Sequence, residues 1–163
     1  MNDPILCIVE IPQGSRNKYE LDLELGAIKL DRFLFSSVVY PTDYGYVPDT
    51  MATDGDPLDV MICVSAPTFP GCRIEGKVIG LFRMRDDKGQ DDKLLCVPRR
   101  DPNWSHMNRL EDLPAPLRDE ISHFFSIYKQ PEGKEVTVEG WYSAEEGLGV
   151  LEDSRRRYKE QQH

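Results

Sequence analysis

Basic residues are in short supply in this chain. Twenty lysines and arginines stand against 29 aspartates and glutamates, a net charge of −9 over 163 residues. That deficit argues against non-specific binding to nucleic acid or to an anionic membrane, since both need a positive surface. Long apolar runs are missing too. None approaches the ~20 residues of a transmembrane helix, and the N-terminal stretch lacks a secretory signal pattern. Histidines number only three, and Cys7, Cys63, Cys72 and Cys96 are scattered without a C-x-x-C pair, so no zinc-ligand spacing is present. Three of the four cysteines lie in apolar, strand-like runs. Free buried thiols and a reducing cytoplasm are therefore expected. No repeat, low-complexity tract or linker divides the chain, and its length suits one domain over 1–163.

What the chain does have is concentrated acid. Asp54-Gly55-Asp56-Pro57-Leu58-Asp59 carries three carboxylates in six residues. Asp54 and Asp56 share a side if the segment is extended. Gly55 permits a turn or a close backbone approach, and Pro57 stiffens the exit. Asp59 opens the apolar run Val60–Val64, which reads as a buried strand. Three acids at a strand mouth repel one another unless a cation joins them, and hard oxygen donors suit Mg²⁺, Mn²⁺ or Ca²⁺. The stretch is not an EF-hand, because positions six and twelve hold Asp59 and Ser65 rather than Gly and Glu. Alone, it could equally be a solvated turn.

The rest of the chain gives the setting. Ile5–Pro12 reads as a strand in which Glu10 is a lone charge, facing water or a polar cavity. Lys18–Asp22 and Ala27–Leu34 alternate and read as short strands. Ser37–Pro48 holds Tyr40, Tyr44 and Tyr46, which either pack on the core or line a pocket. A strand over Ile74–Met84 leads to a second acid cluster, Asp86 to Asp92. Lys88-Gly89 is the expected hairpin tip and Leu94–Pro98 the return strand. Asp112 is the expected N-cap of a helix with the core stripe Leu113, Leu117, Ile121, Phe124, Phe125 and Tyr128. Tyr128-Lys129 emerges at its end. After a strand over Val136–Trp141, Ser143 and Glu146 suggest a capping box for a second helix, which Gly147 and Gly149 should weaken. The basic run Arg155-Arg156-Arg157 suits that helix's C-terminal dipole end.

In this order, these segments resemble the family I soluble inorganic pyrophosphatases, prokaryotic type, over essentially the whole chain. The matches are Gly14–Glu20, Asp31-Arg32, Tyr40–Gly45, Asp54–Val60, and His123-Phe124-Phe125 with Tyr128-Lys129. The resemblance implies an α+β fold, a five-stranded OB-like β-barrel with two main helices. It implies Mg²⁺-dependent hydrolysis of pyrophosphate to two phosphates, with several metal ions per site and Mn²⁺ or other divalent metals possible. It also implies a homo-oligomer, typically a hexamer of two trimers. Carried over by motif, Asp54, Asp59 and Asp91 would bind the tightest metal, with Asp59 bridging to a second. Asp86 and Asp91 would hold metals arriving with substrate, with Asp87 beside them. Glu10 and Glu20 complete the metal set as acids of the cavity rim. Lys18, Arg32, Tyr44, Tyr128 and Lys129 would bind phosphate, supported by Tyr40 and Lys93. Asp87 stands where the family often has Glu, and Gln90 where some relatives have an acid.

The chemistry fits those residue types. Phosphoryl transfer is driven by positioning and charge stabilisation, and two metals sharing a water lower its pKa. No nucleophilic Ser, Cys or His with a partner is evident, so direct attack by a metal-activated water is expected. Asp56 has no metal duty in this assignment and is the candidate general base; Asp91 is the alternative. Two rivals are a non-catalytic metal-binding protein, which leaves Lys18, Arg32 and Lys129 without a job, and an OB-fold module for single-stranded nucleic acid, which needs a basic groove.

Overall fold

The structure is a computed structural model and describes residues 3–162. Eight strands and two α-helices follow one another as β1 (Ile5–Ile11), β2 (Asn17–Asp22), β3 (Ala27–Phe33), β4 (Asp43–Val47), β5 (Leu58–Ile62), β6 (Arg73–Asp86), β7 (Gly89–Pro98), α1 (Ala115–Ile127), β8 (Thr137–Tyr142) and α2 (Ala144–Gln161). Five strands close into a ring, in the order β1-β4-β5-β7-β6 with β6 pairing back to β1. β8 adds to β6, while β2 and β3 form a separate hairpin. The fold is α+β, as the sequence led us to expect.

The ring strands are buried on both faces, and the period of two divides their side chains between two clusters. Val60, Ile62, Leu94 and Cys96 join Leu151 of α2 on one side. Met61, Leu95 and Val97 join Ile121, Phe124 and Phe125 of α1 on the other. Asp59 is two residues before Met61, and Lys93 two before Leu95. Both polar side chains therefore stand on the α1 face, at its rim. The parallel register of β5 with β7 then sets Asp59 directly beside Lys93.

Four local expectations need correction. Asp112 does not cap α1. Its carboxylate accepts the Asn108 N–H at 2.9 Å and the Arg109 N–H at 3.2 Å, so it closes a 3₁₀ turn over Leu110–Asp112, and α1 follows Pro114. The hairpin tip is Asp87-Lys88, because Asp86 already pairs with Gly89, and β7 begins at Gly89 rather than Leu94. The Asp54–Asp56 segment is a turn, not extended chain. The Asp56 N–H donates to the Asp54 carboxylate at 3.0 Å, and Gly55 takes φ +91°, a backbone few other residues adopt. Gly147 does not weaken α2. A Cβ there would stand 3.0 Å from the Gly80 carbonyl oxygen, so glycine allows the helix to lie directly on β6. α2 is indeed capped by Ser143, whose hydroxyl accepts the Glu146 N–H at 3.2 Å. The four cysteines are free, and no helix among the described residues is long and apolar enough to cross a membrane.

Candidate active site

A cleft of about 360 Å³ opens between the β2–β3 hairpin, the ring and the end of α1. It gathers Glu10, Lys18, Glu20, Arg32, Tyr40, Tyr44, Asp54, Asp56, Asp59, Asp86, Asp91, Lys93, Tyr128 and Lys129, which come from strands β1 to β7, the 53–57 turn, the segment before β4 and the residues that follow α1. Asp87 is the exception. It is exposed at the hairpin tip and outside the cleft lining, so the tip directs Asp86 inward and Asp87 away. A wider cavity of about 710 Å³ lies elsewhere, between residues 73–75 and 98–103. We place the chemistry in the smaller cleft, where acids, lysines and tyrosines converge.

Lys93 is the hub. Its ammonium is almost wholly buried and lies 3.1 Å from Asp91, 3.2 Å from Asp59 and 2.5 Å from the Tyr44 hydroxyl, which in turn donates to Asp59 at 2.8 Å. Burial disfavours its charge, but the two carboxylates outweigh that and hold it well above an ordinary lysine pKa. Burial pushes Asp91 up, with Lys93 opposing and Asp59 adding to the rise. Burial also raises Asp54, only partly offset by the Asp56 N–H. Asp86 runs the other way. Burial alone would raise it, but Lys129 at 3.0 Å and the Lys88 N–H hold it below the usual carboxylate range. Burial raises Tyr44 and Tyr128, so both stay protonated as donors.

The remaining cations are also parked on acids. Lys18 lies 3.4 Å from Asp31 and 3.6 Å from Glu20. Arg32 reaches Asp31 at 2.6 Å through Nη1 and Glu132 at 3.1 Å through Nη2, while Nε lies close to the same Glu132 carboxylate without making a hydrogen bond to it. The sequence reading gave no role to Asp31 or Glu132. Asp31 was legible as the neighbour of Arg32, but Glu132 reaches it only through the fold. Lys88 and Lys134 also line the cleft, and nothing in their spacing marks them.

A divalent cation suits this donor set. Asp54, Asp59 and Asp91 offer only hard oxygen, and Asp59 and Asp91 are already held around one positive charge. Among the described residues no group of three acids is already arranged around a common point.

Glu10 is the acid of the cavity rather than of solvent. It accepts the Leu21 N–H at 2.7 Å, and burial pushes its pKa from 4.5 to about 7. Below the unfolded value the group is neutral in both states and costs nothing. As pH rises through 4.5 to 7, ionisation increasingly favours the unfolded chain. Glu10→Gln should therefore stabilise the protein in chelator at pH 8 by about 2 to 3 kcal/mol at most, and have little effect at pH 4. Thermal melts at the two pH values measure this, and an equal shift at both would contradict it.

A closed strand ring with a cleft in which carboxylates alternate with lysines, arginine and tyrosines has the charge make-up of a site for a polyanion accompanied by cations. Comparison with known proteins narrows it. Residues 7–159 match the family model described as inorganic pyrophosphatase. The inorganic pyrophosphatase of Methanosarcina mazei is 53% identical over 94% of this chain and 91% of its own, and that of Halalkalibacterium halodurans 50% identical over 95% of each. The crystal structure of inorganic pyrophosphatase from Thermus thermophilus superposes with a TM-score of 0.93 at 42% identity, covering 96% of this chain and 92% of the other. The chain belongs to the inorganic pyrophosphatase family.

Proposed function

We propose that this protein hydrolyses inorganic pyrophosphate to two phosphates by direct attack of water, with Mg²⁺ as its ordinary metal and Mn²⁺ as a substitute. One observation carries the reading. Four cations of the cleft, Lys18, Arg32, Lys93 and Lys129, are each balanced by a carboxylate. A metal–pyrophosphate complex brings both signs of charge, so it can exchange partners with these pairs. Bound divalent cations supply charge neutralisation and lower the pKa of the attacking water. Asp54, Asp59 and Asp91 hold them, with Asp86, Glu10 and Glu20 as outer acids. The exposed tip position leaves Asp87 without a part in this assignment.

The chain's own groups do the rest. Lys18, Arg32 and Lys129 neutralise phosphate oxygens, and Tyr128 donates its hydroxyl. The Tyr44 proton is given to Asp59, so Tyr44 serves phosphate only when Asp59 takes another partner. Tyr40 packs 5.5 Å from the Tyr44 ring and 4.5 Å from Phe124, and fixes that wall. Arg32 commits one N–H of Nη1 to Asp31 and one of Nη2 to Glu132, leaving the second N–H of each for phosphate. Phosphate release from pyrophosphate by purified protein, with Mg²⁺ and with chelator, is the test. No release with Mg²⁺ rejects the assignment.

Arg32→Lys should be far from conservative, because an ammonium cannot reproduce the fork held by Glu132 and Asp31. We expect kcat/KM to fall by an amount equivalent to about 1.5 to 3 kcal/mol. An unchanged kcat/KM would remove Arg32 from the site.

The assembly is a homo-oligomer, a hexamer in the prokaryotic manner, working in the cytoplasm. Exposed Leu23, Leu25, Leu30, Phe33 and Phe35 on and beside the β2–β3 hairpin support self-association, and the free thiols support a reducing compartment. Sedimentation equilibrium tests the first point, and a monomer at micromolar concentration overturns it.

A further inference from the structure

Asp54 and Asp56 ride on a turn that packing alone does not hold. Behind it, between the turn and α2, lies a second cavity of about 190 Å³ lined by Thr53, Asp54, Gln90, Ser154 and Arg157 among others. Ser154 is 1% exposed, and its hydroxyl has no hydrogen-bond partner. The acid turn thus has empty space at its back, into which it could retreat.

Two bonds oppose that retreat, and both end on Met51. The Met51 N–H donates to the Ser154 carbonyl at 3.0 Å, and Arg157 Nη1 donates to the Met51 carbonyl at 2.6 Å. Within the turn, the Ala52 N–H reaches the Asp56 carbonyl at 2.7 Å and the Gly55 N–H the Ala52 carbonyl at 3.0 Å. At its base, Thr50 Oγ1 donates to the Val47 carbonyl and accepts the Leu58 N–H. The turn is therefore an internally bonded unit, stapled at its base and tied at one flank to α2. A shift of Met51 carries Asp54 with it.

Of the three consecutive arginines, only Arg157 makes this contact. Arg155 and Arg156 are exposed, and Arg156 pairs with Asp153 on its own helix at 3.1 Å. The dipole argument applies equally to all three, so it does not explain why one of them turns inward.

We propose that Arg157 is a positioning residue that fixes the 53–57 turn, and with it Asp54, in its metal-binding placement. The inference rests on the reading of Asp54 as a metal ligand. A partner outside the ligand set that orients it changes metal affinity more than it changes the chemistry once metal is saturating. Arg157→Gln cannot span to the Met51 carbonyl, whereas Arg157→Lys keeps a long donor.

The experiment titrates Mn²⁺ into the full-length protein by calorimetry, without substrate, for wild type, Arg157→Gln, Arg157→Lys and Asp54→Asn. Arg157→Gln should weaken Mn²⁺ binding about 10- to 100-fold, as loss of a ligand-orienting partner does. Arg157→Lys should recover most of that loss. In steady-state assays, Arg157→Gln should need more Mg²⁺ for half-maximal rate yet approach the wild-type kcat at saturation. Mn²⁺ affinity of Arg157→Gln within twofold of wild type, with Asp54→Asn impaired, overturns the inference and leaves the ligand reading standing. Equal weakening in the Gln and Lys variants, with melting temperature lowered in both, also overturns it, because general packing then explains the loss. Unchanged affinity in Asp54→Asn rejects the ligand reading itself, and the inference falls with it.

Discussion

Asp56→Asn is expected to lower kcat by about 10² to 10⁴, the range lost with a general base, while leaving metal affinity nearly unchanged. The structure separates Asp56 from the other acids of the cleft. Asp59 and Asp91 are bound to Lys93, and Asp86 to Lys129. Asp54 accepts the Asp56 backbone N–H at 3.0 Å. Among the described residues, no hydrogen bond or ion pair engages the Asp56 carboxylate, and it lines the cleft. An uncommitted carboxylate beside metal-binding acids is free to take a proton from water. Asp91, the alternative, has one oxygen engaged by the Lys93 ammonium at 3.1 Å, although burial outweighs that cation and raises its pKa. The amide of Asn keeps shape and volume and removes only the proton acceptor. Higher pH should recover part of the rate, since hydroxide then forms without help. Asp91→Asn and Asp59→Asn should respond to Mg²⁺ instead. Rate profiles against Mg²⁺ and pH for the three variants decide the matter. Rescue of Asp56→Asn by Mg²⁺ but not by pH would make Asp56 a ligand and pass the base role to Asp91.

Lys93→Met should have the largest effect on stability, a loss of about 3 to 5 kcal/mol in chelator at pH 8, the cost of breaking a buried pair by removing one partner. Met fills nearly the same volume, so no large cavity adds to the loss. What remains is electrostatic, because Asp59 and Asp91 face each other with no cation between them, and the Tyr44 hydroxyl loses the group that donates to it. Millimolar Mg²⁺ should return part of the stability by replacing the missing charge. The wild type should gain less from the same Mg²⁺, because its carboxylates are already neutralised. Denaturant melts of both proteins, with chelator and with Mg²⁺, make the comparison. Equal gains from Mg²⁺ in the two would show that Lys93 and the metal do not compensate the same acids.

Much of this protein is set locally. An apolar run marks β1, alternation marks β2 and β3, the apolar stripe marks α1 through Leu117, Ile121, Phe124 and Phe125, and Ser143 caps α2 where a hydroxyl before Glu146 leads one to expect it. These features depend on residues a few positions apart, so the sequence carries them. The identity of the cleft acids and cations is likewise written in short motifs. Local reading went wrong where a neighbour distant in sequence supplied the reason. Gly147 looked like a helix breaker because Gly80, against which it packs, is 67 positions away. Asp112 looked like a helix cap because it stands just before the apolar stripe, whereas its carboxylate turns back to the Asn108 and Arg109 N–H groups and closes the 3₁₀ turn that ends on it. Arg157 looked like a dipole charge until Met51 appeared beneath it. The partners of the charges belong to this second kind. Lys93 and Asp59 are neighbours only because β5 and β7 run parallel in a closed ring, and Arg32 meets Glu132 only because the 3₁₀ turn Gln130–Glu132 that follows α1 comes back to β3. Charge pairing acts through space over a few ångströms. The sequence by itself determined which groups the site contains, and ring closure decided which of them neutralise one another.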